Sequence, residues 1–216
     1  MLQNLTLTLN KVVSIDDSFL SQCYKLLNLT LNIDKVESIG NDFLSNCTNL
    51  QNLTLNLNNV QKIGNNFLSN CTNLLNLTLN IDKVESIGND FLSRCNELQN
   101  LTLNINKVES IGNYFLSHFS KLNKLILNLD KVVYIGDHFL SFYDSLQDLT
   151  LKLDNVKSID DYFLLKCKSL QNLTLSLNTE ILNTFFRNID IYSKPSLNLF
   201  IINKSNLDFI LKENDL

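Results

Sequence analysis

The sequence predicts an α/β solenoid, with a parallel β-sheet along one face and short helices or turns along the other. Three observations predict it. Leu5, Leu29, Leu53, Leu77, Leu101, Leu125, Leu149 and Leu173 are each 24 residues apart, and the same step joins Phe19, Phe43, Phe67, Phe91, Phe115, Phe139 and Phe163. All five glycines (Gly40, Gly64, Gly88, Gly112, Gly136) share one position of that period, and all five cysteines (Cys23, Cys47, Cys71, Cys95, Cys167) share another. The composition carries the same bias, with 45 Leu and 34 Asn among 216 residues, no Ala, no Trp and one Pro. A period of this length marks units that bury their apolar faces only against their neighbours.

The elements follow from the repeat position by position. Units are numbered so that position 1 is Leu26, Leu50, Leu74, Leu98, Leu122, Leu146 and Leu170, and the residues ahead of Leu26 form unit one. Leu53, Leu55 and Leu57 alternate with Thr54 and Asn56, the period-2 pattern of a half-buried strand. The glycine position holds Asp16 in unit one and Asp160 in unit seven. Gly and Asp both tolerate left-handed backbone, so a turn is expected there. Position 16 is always Asn or Asp (Asp17, Asn41, Asn65, Asn89, Asn113, Asp137, Asp161). Such residues favour helix N-caps. Phe67, Leu68 and Cys71 then follow at i, i+1 and i+4, one face of a short helix.

These residues carry a resemblance. Leu50-x-x-Leu53-x-Leu55-x-x-Asn58-x-Val60 is similar to the opening of a leucine-rich repeat, and Ile63-Gly64-x-x-Phe67-Leu68-x-x-Cys71 resembles the BspA-like subclass. The units here are one residue longer than is usual for that subclass and lack its proline after the strand. The resemblance covers roughly residues 1–178 and implies a right-handed solenoid. It also implies recognition rather than catalysis: a recognition scaffold or adaptor, including adaptors that select substrates for ubiquitin ligases, or a surface or secreted adhesion protein. A regulatory repeat segment of a longer enzyme is a third setting.

The array is expected to span 1–178 and a degenerate repeat with a C-terminal cap to span 179–216. There Ile181, Leu182, Phe185 and Phe186 break the spacing, and the single proline, Pro195, follows. Leu197, Leu199 and Ile201 stand 24 residues beyond Leu173, Leu175 and Leu177, so a last strand is expected in that register, with a short helix over 205–213. At the other end Met1-Leu2 enters directly on a strand. An uncovered strand edge invites pairing, so the first strand is expected to be covered by further chain, by a partner or by self-association.

Composition narrows the functional classes. A net charge of −4 and no basic run argue against nucleic acid. No apolar stretch is long enough to span a membrane. No secretory signal opens the chain, and free cysteines fit a reducing compartment, so a cytoplasmic setting is expected, with a surface setting if the chain begins upstream. The cysteine position also accepts Phe119 and Tyr143, which reads as core packing, and five cysteines cannot form a complete set of intrachain disulfides. Position 9 alternates Asn and Asp except at Asp130 and Asp154 (Asn10, Asp34, Asn58, Asp82, Asn106, Asp130, Asp154, Asn178). In the family it resembles, an Asn there is a ladder rung, and Asp, which only accepts, alters half the rungs. One Asp per alternate unit does not make a calcium array. His118 and His138 sit at different repeat positions with no ligand or nucleophile spacing, and the glycines are isolated, so no cofactor, metal or catalytic site is expected. The Lys and Glu columns read as a solvated face, and the Asn-Leu-Thr triplets as strand-face residues rather than glycan acceptors.

A protein partner is expected on the outward strand face, positions 3, 5 and 7. That face is a uniform Asn, Thr, Asn through units two to five and changes later: Lys124, Ile126 and Asn128 in unit six, Asp148, Thr150 and Lys152 in unit seven. Beside them position 17 becomes Tyr114, His138 and Tyr162, with His118, Phe142 and Tyr134 also out of pattern. Aromatics and mixed charge are typical of interface cores. Drift near the cap is the competing reading, and a codon-like excess of Asn, Lys and Ile gives the Asn-rich face a second explanation.

Overall fold

The structure is a computed structural model, which describes residues 2–178, 181, 185, 197–203 and 207–211. Each unit contributes a long strand and a two-residue strand. In chain order these are β1 (Asn4–Thr8) and β2 (Ser14–Ile15), β3 (Asn28–Asn32) and β4 (Ser38–Ile39), β5 (Asn52–Asn56) and β6 (Lys62–Ile63), β7 (Asn76–Asn80) and β8 (Ser86–Ile87), β9 (Asn100–Asn104) and β10 (Ser110–Ile111), β11 (Lys124–Asn128) and β12 (Tyr134–Ile135), β13 (Asp148–Leu153) and β14 (Ser158–Ile159). β15 (Asn172–Leu177), β16 (Asn198–Asn203) and β17 (Leu207–Leu211) follow. Paired long strands of units one to eight are parallel and in register at 24 residues, as in Leu29 opposite Leu53. Their inward leucines join Phe, Val and Ile columns in one continuous core.

The two-residue strands form a second parallel sheet of seven. The sequence reading passed over it, because a Ser-Ile pair is too short to show alternation.

The third side of the coil corrects the expectation of short helices. Positions 17, 19 and 21 have positive φ in each of the first seven units, from 48° to 63°, as at Asp42, Leu44 and Asn46. Their amides bond to neighbouring units: Asp42 N to Asn65 O at 2.8 Å, Leu44 N to Phe19 O at 3.0 Å, Asn46 N to Ser69 O at 2.8 Å. The segment is therefore a stack of turns. The reason is spacing. The Phe19 to Phe163 rings stack at centroid distances of 5.2 to 5.9 Å, whereas a helix with side chains is about 10 Å wide. Helices cannot repeat at that interval. Phe67, Leu68 and Cys71 are all buried, as their spacing suggested, but on turns.

Two further expectations change. No glycine has a positive φ. Gly64 is required by close stacking: a Cβ there would lie 2.6 Å from the Gly40 carbonyl carbon. Position 16 caps no helix. Asn41 Oδ1 accepts from Asn65 N at 2.8 Å, and the same bond recurs from Asp17 through to Asp161. Only an acceptor is needed, so Asp and Asn interchange freely. This is the chain's backbone-capping ladder. At position 9 the contacts are between side chains, as where Asn106 Nδ2 donates to Asp82 Oδ1 at 2.7 Å.

At the C-terminal end β16 continues the stack, but in a different register. Leu173 lies opposite Leu199 and Leu175 opposite Ile201, a step of 26. A slip of two keeps every side chain on its face. Of the range 205–213, where the sequence predicts a helix, residues 207–211 are described, and they form β17, antiparallel to β16. Phe185 closes the ring column edge-on to Phe163 at 5.5 Å, and Ile181 is also buried in the core. Leu182, Phe186 and Pro195 lie outside the described residues.

The long-strand sheet is interrupted twice, between β5 and β7 and between β9 and β11. At both seams the leucines of the preceding strand, Leu53 and Leu55 or Leu101 and Leu103, are only half-buried. The two-residue strands run past both seams unbroken. Nothing in the side chains explains the first seam.

Candidate interaction surfaces

On the strand side, the asparagines of position 3 bond to one another along the coil. Asn52 Nδ2 donates to Asn28 Oδ1 at 2.6 Å, Asn100 to Asn76 at 2.6 Å, and Asn172 to Asp148 Oδ1 at 2.6 Å. Lys124 has no carboxamide, and the ladder is interrupted there, at the second seam, before it resumes from Asp148 to Asn172 and Asn198. A cleft of about 930 Å³ opens there, lined by Leu101, Leu103, Lys121, Lys124 and Ile126 among others. Ile126 is 62 % exposed. In the register of β11 and β13, Lys124 faces Asp148, Ile126 faces Thr150 and Asn128 faces Lys152. All six predicted strand-side residues therefore lie on two adjacent strands, and of them Lys124 and Ile126 line the cleft.

Tyr114, His138 and Tyr162 lie on the turn side instead. Their rings stack face to face with centroids 4.5 Å apart at both steps. A parallel stack, His118 on Phe142 at 4.4 Å, runs beside them, with Lys166 Nζ 5.3 Å from the Phe142 centroid. Two smaller clefts flank that pair. One, of about 360 Å³, is lined by Asp90, Arg94, Tyr114 and His138; the other, of about 310 Å³, by Asn96, Ser120, Asp144, Lys166 and Lys168. Ser120 also lines the strand-side cleft, so the two groups meet at that corner. Sequence reasoning missed Arg94, Lys166 and Lys168. Tabulating positions 21 and 23 would have found them, because Lys166 stands where units two and three carry Asn46 and Asn70.

The electrostatics are those of packing rather than chemistry. Burial pushes the Cys47 and Cys95 thiols up to about 12, and Cys71 and Tyr143 also well above their usual values. A thiol held protonated is a poor nucleophile. Each buried cysteine instead donates to a position-19 carbonyl of the preceding unit, as Cys71 does to Leu44 O at 3.3 Å. Burial is the main cause that lowers His118, helped by Arg94 and His138 and opposed by Asp90. Among the described residues no group of three or more His, Cys, Asp or Glu could hold a metal ion, and no helix is long and apolar enough to cross a membrane.

Comparison with known proteins agrees with this architecture. No curated protein matches the sequence. Among solved structures, a leucine-rich repeat protein from Bacteroides ovatus ATCC 8483 is similar, with a TM-score of 0.59 and 17% identity. The match covers 90% of this chain and 53% of that one, so this chain spans about half its length, and the likeness shows the fold. The family model for the BspA type leucine rich repeat region matches in 6 copies, over residues 1–106 and 63–193. With the 24-residue coil and its Phe and Cys columns, that match places the chain in the BspA-type leucine-rich repeat family.

Proposed function

We propose that the chain is a non-catalytic recognition module that holds a protein partner across units five to seven. On the strand side Lys124, Ile126, Asn128, Asp148, Thr150 and Lys152 make the contact, and on the turn side Tyr114, His138 and Tyr162 extend it. The observation that carries this reading is Ile126, 62 % exposed at the rim of the seam cleft. In units one to five, seven and eight the same column is Thr, and β16 places Phe200 in it. A lone apolar side chain beside a cleft, flanked by Lys and Asp, supplies an anchor and a polar rim. The uniform Asn and Thr columns of units two to five offer hydrogen bonds but no distinguishing feature.

The test restores the repeat. Lys124→Asn, Ile126→Thr, Asp148→Asn and Lys152→Asn together should remove partner binding while the melting temperature stays within a few degrees, because exposed substitutions cost about 0.5 kcal/mol or less. Affinity capture is run with the original and restored proteins side by side. Identical captured sets would sink the proposal.

A further inference from the structure

The turn side changes character along the coil. In units two to four, positions 17 and 21 hold Asp42, Asn46, Asn66, Asn70, Asp90 and Arg94; in units five to seven they hold Tyr114, His118, His138, Phe142, Tyr162 and Lys166. All twelve sit at positive φ. Asn, Asp and His tolerate that backbone well, and Tyr, Phe and Lys do so less readily. Position 19 is Leu at positive φ in all seven units, so the turn backbone belongs to the coil as a whole. What sets units five to seven apart is the rings placed on it.

The rings use their faces on one another, at centroid distances of 4.4 and 4.5 Å. What the stacks leave for a ligand is ring edges, the electropositive rim of an aromatic group. Arg94 and Lys168 are exposed in the clefts beside the rings, Lys166 lies with its Nζ 5.3 Å from the Phe142 centroid, over the ring face, and no carboxylate pairs with any of the three among the described residues. The two carboxylates in the clefts are Asp90, which accepts from Ser93 Oγ at 3.1 Å, and Asp144. Three cations against two carboxylates leave a surplus of one positive charge, which lies in the cleft of Lys166 and Lys168, on a chain whose net charge is −4.

From this juxtaposition we infer that the ring stacks of units five to seven bind an acidic peptide segment, its carboxylates lying in the two clefts beside His118 and Phe142. Arg94 receives a carboxylate in one cleft, and Lys166 and Lys168 receive one in the other. A short segment is favoured over a membrane surface or a long polyanion, because those meet the repulsion of the whole chain while a segment meets only the local field. The inference rests on the reading of the chain as a protein-binding module, and it concerns a different side of the coil from Ile126.

The experiment uses dye-labelled peptides of alternating Glu and Gly, with Gln and Gly and with Lys and Gly as counterparts, in fluorescence anisotropy at low salt and neutral pH. The Glu peptide should bind about tenfold more tightly than the Gln peptide. Replacing Arg94, Lys166 and Lys168 together by Gln should reduce it to the Gln level with no change in melting temperature. Phe142→Asn, which restores the residue of units two and three, should weaken it as well. The strand-side restoration of Lys124, Ile126, Asp148 and Lys152 should leave it intact, so that failure of the strand-side reading and failure of this one are told apart. Equal binding of Glu and Gln peptides, or full affinity in the triple variant, overturns the inference. So does binding of anionic vesicles or a sulfated polysaccharide by these cations with the Glu peptide ignored.

Discussion

Units two to four and units five to seven are built on the same core and differ on the columns that face solvent. Both halves stack Phe on Phe at 5.2 to 5.5 Å, and both bury the Leu of position 19 on a left-handed turn. The first half places Asn and Asp on the neighbouring left-handed positions and ties them by side-chain bonds, as Asn66 Nδ2 to Asp42 Oδ1 at 3.0 Å. The second half places rings there and ties them by stacking. The difference teaches that the coil is set by the inward columns alone. The outward columns can then diverge, so long as something links each unit to the next.

The comparison can be broken most severely in the core. Phe67→Ala and Phe139→Ala should each cost about 3–5 kcal/mol, and by similar amounts, since both rings are fully buried. Denaturant unfolding of the two variants measures this, and a large inequality would mean the halves do not share one core. A gain is expected in unit six. The Tyr143 hydroxyl is buried with no hydrogen-bond partner, in a position where unit five has Phe119. Tyr143→Phe should stabilise the protein by about 1–3 kcal/mol, read as a higher melting temperature.

Titration reaches both halves: burial raises Cys47, Cys71 and Cys95 in the first and Tyr143 in the second, while only the second carries a lowered histidine. The Cys47 and Cys95 thiols stand at about 12 in the fold against 9.0 when free. The folded state keeps the protons longer, so stability is level below pH 9.0 and falls as pH rises toward about 12. Denaturant midpoints across that window should drop, and Cys47→Val with Cys95→Val should lessen the drop, leaving the share that comes from the buried Cys71 and Tyr143. The smallest effect belongs to the second half. His118 is lowered from 6.5, mainly by burial. The unfolded chain takes the proton first, so stability is fully present above pH 6.5 and declines as pH falls below it. His118→Asn should remove that slope, while a Cys variant in the first half leaves it unchanged.

Much of the fold was legible because repetition multiplies weak signals. The Leu53-Thr54-Leu55 alternation, the Phe column and the packing role of Cys71 could be read from the chain. The turn columns were misread because Phe67, Leu68 and Cys71 have the same burial on a helix and on this alternating backbone. Only the unit spacing, a property of the stack, separates the two. Gly64 and Asn41 were assigned to the right turn but to local causes, whereas both act on the next unit. Leu197 was aligned by the 24-residue count, although the segment ahead of β16 adds two residues. Of the candidate surface, the departures at Ile126 and Tyr114 were visible as broken columns. The seam beside Ile126 was not, because β5, β7 and β9 share the sequence Asn-Leu-Thr-Leu-Asn whether paired or parted.

Most of the side-chain hydrogen bonds of this coil join residues 22 to 27 apart, and its parallel ladders do the same. The molecule is thus sewn across its units, and a pull on its two ends acts on the stitches one row after another. Each row that gives way frees 24 residues, ~80 Å of extended chain, so the force trace should be a train of even steps. At β5–β7 and β9–β11 the long-strand row of stitches is missing, and the unbroken sheet of two-residue strands carries the load across.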